Sequence, residues 1–100
     1  MKPVVFHPKA EAELLAAVGY YESQRPGLGL EFETEVEDAV RRIQQNPKLY
    51  PPYGRKGARF CLVSRFPYVL YFREADDYIR IFAVAHSARR PGYWSRRMTP

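Results

Sequence analysis

Apolar positions recur with a helical period along the first half of the chain and with a period near two along the second. Val4, Val5 and Phe6 are β-prone and predict a short strand over residues 3–7. Pro8 then falls where a first helical residue is expected, because its missing N–H costs nothing there. Glu11 and Glu13 suit the positive end of that helix's dipole. From Ala10 to Glu22, the residues Leu14, Ala17, Val18 and Tyr21 fall on one helical face, and Arg25-Pro26-Gly27 stops the run. A second helix opens at Leu28 or Gly29 and carries Phe32, Val36, Ala39, Val40 and Ile43 on one stripe. Glu37 with Arg41 and Asp38 with Arg42 are spaced for ion pairs on its outer side. Asn46-Pro47 ends it, since a residue before proline leaves the α region. So short a turn between two amphipathic helices predicts an antiparallel helical hairpin.

Residues 48–57, with Pro51-Pro52, Gly54 and Gly57, read as an irregular loop. Beyond it Arg59–Arg65 alternates weakly, Tyr68–Arg73 is nearly all apolar, and Tyr78–His86 is apolar on both faces. Glu74-Ala75-Asp76-Asp77 is a polar connector of hairpin length between the last two. Strands apolar on both faces belong inside a covered sheet. The predicted order is β-α-α-β-β-β, an α+β fold with the N-terminal helical hairpin packed on a small antiparallel sheet. One hundred residues support a single domain over 1–100, with residues 95–100 expected as a disordered tail.

Composition narrows the class. Apolar residues make up 46% and charged residues 27%, a globular balance that argues against disorder. No run approaches the roughly 18 apolar residues of a membrane span, and the first residues lack the apolar core of a signal peptide. A lone cysteine, Cys61, cannot form an internal disulfide and fits a reducing cytoplasm. Its neighbours Phe60, Leu62 and Val63 suit a buried, inert thiol. Two histidines and one cysteine, none closely spaced, argue against a structural zinc site, and no metal or cofactor is expected.

The net charge of +5 conceals an asymmetry. Residues 1–50 hold six Lys/Arg against eight Asp/Glu, whereas residues 51–100 hold ten against three. Nine of those ten are arginine, the residue suited to bidentate contact with phosphate or carboxylate. The skew predicts an anionic partner, either nucleic acid or an acidic protein segment, or else a solvated surface that aids solubility.

Few motifs carry chemistry. Gly27-Leu28-Gly29 lacks the strand, further glycine and lysine of a phosphate loop and reads as a turn. Glu31, Glu33, Glu35 and Glu37 spread over different helix faces and read as solvated surface. His86, at the end of the last strand, has the pKa range of a general acid or base, or makes a structural hydrogen bond. Ser87 beside it lacks the carboxylate of a nucleophilic triad. Residues 89–97 mix Arg89, Arg90, Arg96 and Arg97 with Tyr93 and Trp94. That mixture suits stacking on bases, anchoring at a protein interface, or packing of Trp94 against the sheet edge.

In order and spacing, these elements resemble the RelE/ParE superfamily of bacterial type II toxin–antitoxin systems, closer to its ParE-like branch. The resemblance runs from Phe6 to Arg97. It is carried by Phe6-His7-Pro8 with Ala10, Glu13 and Leu14, by Tyr20-Tyr21-Glu22, by Pro26-Gly27-Leu28-Gly29 with Phe32, and by Asn46-Pro47 and Tyr50-Pro51. Arg65-Phe66-Pro67-Tyr68, Leu70-Tyr71, Ala85-His86, Arg89, Pro91, Trp94 and Arg97 complete it. The resemblance implies a toxin neutralised by a cognate antitoxin, small, acidic and partly disordered when free, in a hetero-oligomer such as those that stabilise plasmids. RelE-like members cleave mRNA on the ribosome and ParE-like members poison DNA gyrase. RelE-like toxins place an arginine before the Leu-Val-Tyr-type central strand and another just after the last strand. Val69 and Ser87 stand at those positions here.

The resemblance therefore implies a ParE-like, non-enzymatic gyrase inhibitor. Its contact residues are expected at Arg59, Arg65, Arg73, Arg89 and Arg90 with Tyr93, Trp94, Arg96 and Arg97, in a tail whose removal after Gly92 leaves the fold intact. The alternative is a ribosome-dependent endoribonuclease using His86, Tyr93, Arg65 and Arg73. A third reading is a degenerate toxin that only binds its antitoxin.

Overall fold

A computed structural model describes residues 1–98. Strand β1 (Val4–Phe6) leads into helix α1 (Pro8–Gln24), which turns into helix α2 (Leu28–Gln45). A 3-10 turn at Pro47–Leu49 precedes β2 (Pro52–Tyr53), β3 (Ala58–Leu62), β4 (Tyr68–Glu74) and β5 (Ile79–His86). The α+β fold read from the sequence, a helical hairpin on a sheet, is the fold observed. Helix α1 opens on Pro8 as expected, with His7 Nδ1 accepting the Lys9 N–H at 3.1 Å as its cap.

The hairpin turn is built around Gly27, which takes a left-handed φ of 89°. The Glu22 carboxylate accepts the N–H groups of Gly27 and Gly29 at 3.0–3.1 Å, so α1 caps the N-terminus of α2. The amides that a phosphate loop would offer are therefore already occupied. Gly29 is also a point of close helix approach: a Cβ there would lie 2.7 Å from the Val18 carbonyl oxygen.

The sheet has five strands in the order β1-β5-β4-β3-β2. It is mixed, which corrects the expectation of an antiparallel sheet: β1 runs parallel to β5, pairing Val4 with Ile79 and Phe6 with Ile81. A three-residue strand carries no pattern that fixes its direction; the hydrogen bonds Ile79 N to Pro3 O and His7 N to Ile81 O do so. The fifth strand, β2, lies inside the stretch read as irregular loop. It pairs antiparallel with β3 at the sheet edge, where proline is tolerated.

Both faces of the sheet are covered. On one, Phe32, Val36, Ala39 and Ile43 from α2 and Ala10 and Ala17 from α1 pack against Leu70, Phe72, Ile79, Ile81 and Val84. On the other, Ala58, Phe82, Ala83 and Ala85 meet Trp94 and Met98. Each large apolar side chain so buried stabilises the fold by about 1.5–3 kcal/mol. Residues 95–98, expected to be part of a loose tail, form a 3-10 turn ending in the buried Met98, while residues 99–100 lie outside the described residues.

The β4–β5 ladder contains a bulge. Tyr71 pairs with Ala83 and Phe72 with Ile81, which leaves Phe82 as the extra residue of β5. The alternation of β5 slips there: Phe82 and Ala83, though adjacent, both join the Trp94 cluster.

Two local expectations change. Arg41 pairs with Asp38 one turn away, and Arg42 turns instead to Cys61 Sγ at 3.9 Å. Cys61 itself is buried and free, and burial pushes its thiol pKa up.

Candidate functional site

The bulge shapes the region around the basic C-terminal segment. Beyond Ile81, strand β5 has no neighbouring strand on its β1 side among the described residues, and Phe82 O and Val84 N are satisfied by side chains. Glu13 of α1 accepts the Val84 N–H at 3.0 Å, and Arg97 donates to Phe82 O at 2.9 Å. The two side chains also bond each other, Nη1 to Oε1 at 2.9 Å and Nη2 to Oε2 at 3.0 Å. Tyr93 adds its hydroxyl to Glu13 at 2.7 Å. Burial alone would raise the Glu13 pKa, but the bonds from Arg97, Tyr93 and Val84 outweigh it and hold the carboxyl below its ordinary value. Burial, reinforced by that carboxylate, pushes the Tyr93 phenol strongly up, so its hydroxyl is a fixed donor.

Trp94 follows the third reading of the tail most closely, yet it packs on the face of the sheet rather than its edge. It is 2% exposed, with its ring stacked on Tyr71 at 4.6 Å and tilted against Tyr53 at 5.5 Å. Among the described residues its indole nitrogen has no hydrogen-bond partner. Truncation after Gly92 would remove Trp94, Arg97 and Met98 and strip this face, so the tail is part of the fold.

The remaining residues of interest scatter into separate environments. His86, Arg89 and Arg90 are exposed and, with Tyr93 and Trp94, line a pocket of about 180 Å³. His86 Nδ1 accepts the Ala88 N–H at 3.0 Å, and its ring stands edge-on to Tyr68. The Arg89 guanidinium lies 3.8 Å from the Tyr93 ring centroid. Arg59 donates to Tyr50 O at 2.6 Å, and Arg96 is exposed in the last 3-10 turn.

Arg65 occupies the turn between β3 and β4 at a left-handed φ of 71°, unusual for a residue with a side chain. It is held to α2 by Glu31 at 2.7 Å and Glu35 at 3.4 Å, so these two glutamates are ion-pair partners rather than free surface. Arg73 lies on the second sheet face, donating to Lys56 O at 3.2 Å with its guanidinium over the Phe82 ring. Thus His86 and Tyr93 share a pocket, whereas Arg65 and Arg73 line other surfaces.

Two residues escaped functional notice in the sequence. Glu13 is legible there only as an acid suited to the positive end of the helix dipole and as a position of the resemblance. Arg80 was overlooked, although it and Arg73 stand equally far from the centre of the Asp76-Asp77 turn, a spacing that makes them cross-strand neighbours. Among the described residues no group of three His, Cys, Asp or Glu could hold a metal ion. Among the described residues, too, no helix is long and apolar enough to cross a membrane.

The chain matches the family model described as ParE toxin of type II toxin-antitoxin system, parDE, over residues 4–91. No curated protein sequence matches it. Among solved structures it is similar to one titled chromosomal ParDE TA system from P. aeruginosa. That similarity has a TM-score of 0.76 at 24% identity and covers 86% of this chain and 96% of that one. Because the family match extends from β1 through the whole sheet to Pro91, the chain belongs to the ParE toxin family of type II toxin–antitoxin systems.

Proposed function

We propose that this toxin acts as a non-enzymatic inhibitor of DNA gyrase, stalling its cleavage complex in the cytoplasm without metal or cofactor, and that a cognate antitoxin neutralises it. The observation that carries this reading is the engagement of Tyr93. Its hydroxyl is bound to Glu13 with its pKa pushed up, so the phenol of the nuclease alternative is unsuited to abstract a proton. Val69 and Ser87, at the two positions where RelE-like nucleases carry arginine, agree with it. The exposed Arg89 and Arg90 beside His86 are the surface assigned to gyrase contact. The excess of arginine in residues 51–100 favours an acidic antitoxin segment as the neutralising partner.

The test is pulse-labelling after induction without antitoxin, following thymidine and methionine incorporation in one culture. DNA synthesis stopping first, with relief by Arg89→Glu/Arg90→Glu, supports the reading. Protein synthesis stopping first overturns it in favour of mRNA cleavage. Continued incorporation of both would leave the degenerate, antitoxin-binding protein.

A further inference from the structure

On the sheet face opposite the helices, Arg73 and Arg80 are direct partners across the β4–β5 ladder. Like charges so placed repel and weaken a sheet. Neither arginine forms an ion pair among the described residues. Both line a cavity of about 330 Å³ with Tyr78, Phe82, Arg97 and Met98, and among the described residues no carboxylate lines it. Glu74, the nearest acid along β4, is bonded to Lys2 instead. Arg97 closes one wall with its own charge already met by Glu13. Arg73 is held in place by Lys56 O and by its packing over Phe82. Among the described residues the cavity therefore presents two guanidinium groups with no ion-pair partner, one of them preorganised, beside an exposed aromatic ring, Tyr78.

We infer that this cavity is a binding site for a phosphate monoester carrying a planar ring, that is, a nucleotide 5′-phosphate. The charge decides between phosphate and carboxylate. One carboxylate carries one charge: where Arg25 and Arg65 meet at Glu31 in this molecule, Glu35 supplies the second. Two opposed guanidinium forks call for a dianion with three acceptor oxygens, and a phosphate monoester carries about −1.5 to −2 at pH 7. Tyr78 supplies the ring on which a base stacks. The site lies on β4 and β5 at the end remote from His86 and is independent of the gyrase reading.

Calorimetric titration at low salt with AMP, adenosine, inorganic phosphate and a glutamate-rich peptide tests the site, with two oligonucleotides of one sequence bearing a 5′-phosphate or a 5′-hydroxyl. AMP should bind at least tenfold more tightly than adenosine, and Arg80→Gln should cost at least tenfold. Arg80→Lys, which keeps the charge and loses the fork, should fall between, and it carries the test if Arg80→Gln fails to fold. A 5′-phosphate preference in the oligonucleotide identifies a strand end as the source of the group; its absence, with AMP still bound, identifies a free nucleotide. Equal binding of AMP and adenosine overturns the inference. So does AMP affinity unchanged in the Arg80 variants, or a peptide that binds through Arg80 while AMP does not.

Discussion

Glu13 and Arg97 are 84 residues apart in sequence and meet in a two-pronged ion pair that also satisfies the open edge of β5. The pair joins the first helix to the last turn, and each partner is at most 16% exposed. Its geometry exists because the Phe82 bulge turns one carbonyl and one amide toward it.

Acid should weaken the fold through this pair. A carboxyl held below its ordinary value binds a proton less readily in the folded chain than in the unfolded one. Its stabilisation is complete above pH 4.5 and is lost as pH falls through the folded value. Urea unfolding of Glu13→Gln should show about 2 kcal/mol less stability at pH 7 and a shallower decline below pH 4.5. An unaltered acid slope would show that Glu13 is not the titrating link.

Trp94→Ala should cost about 3–5 kcal/mol, the range for emptying a buried aromatic site. A chain ending at Gly92 should lose cooperative unfolding altogether. Near-ultraviolet circular dichroism and thermal melts measure both. A truncated chain that melts like the full one would show that the second sheet face needs no cover.

Replacing Arg80 should act in the opposite sense. Arg80→Thr removes the repulsion with Arg73 and adds a β-branched residue to a strand, worth about 0.2–1 kcal/mol of stabilisation. Its melting point should rise by a few degrees at low salt, and the gain should shrink as salt screens the repulsion. A lower melting point at every ionic strength would contradict the placement of the two cations.

Gly29→Ala tests the helix contact. The added methyl would sit 2.7 Å from the Val18 carbonyl oxygen, against backbone that cannot swing aside. The expected loss is about 1–3 kcal/mol despite the better helix propensity of alanine. Denaturant titration of this variant beside Gly19→Ala, where nothing lies within 4 Å of the new methyl, isolates the clash.

What could be read from the sequence was local. Pro8, Arg25-Pro26-Gly27 and Asn46-Pro47 bound the helices because proline and glycine act on their own backbone and nearest neighbours. The apolar run of β5 announced cover on both faces, and the structure supplies it. The direction of β1, the two-residue β2 and the bulge at Phe82 were not readable, since pairing between distant segments sets each of them. The inward packing of Tyr93 and Arg97 is hidden in the sequence for a related reason. A segment rich in arginine and aromatic residues has the same composition whether it meets a partner or its own sheet. Only the position of Glu13 on the opposite helix shows that Tyr93 and Arg97 are turned inward.

The bulged strand has a consequence for synthesis. β5 emerges from the ribosome before the residues that cover its second face and complete its open edge. Until Trp94 and Arg97 follow, a nascent chain with both helices and most of the sheet still lacks its closure. Folding then completes late, in a step that joins distant parts of the chain and is slow for that reason.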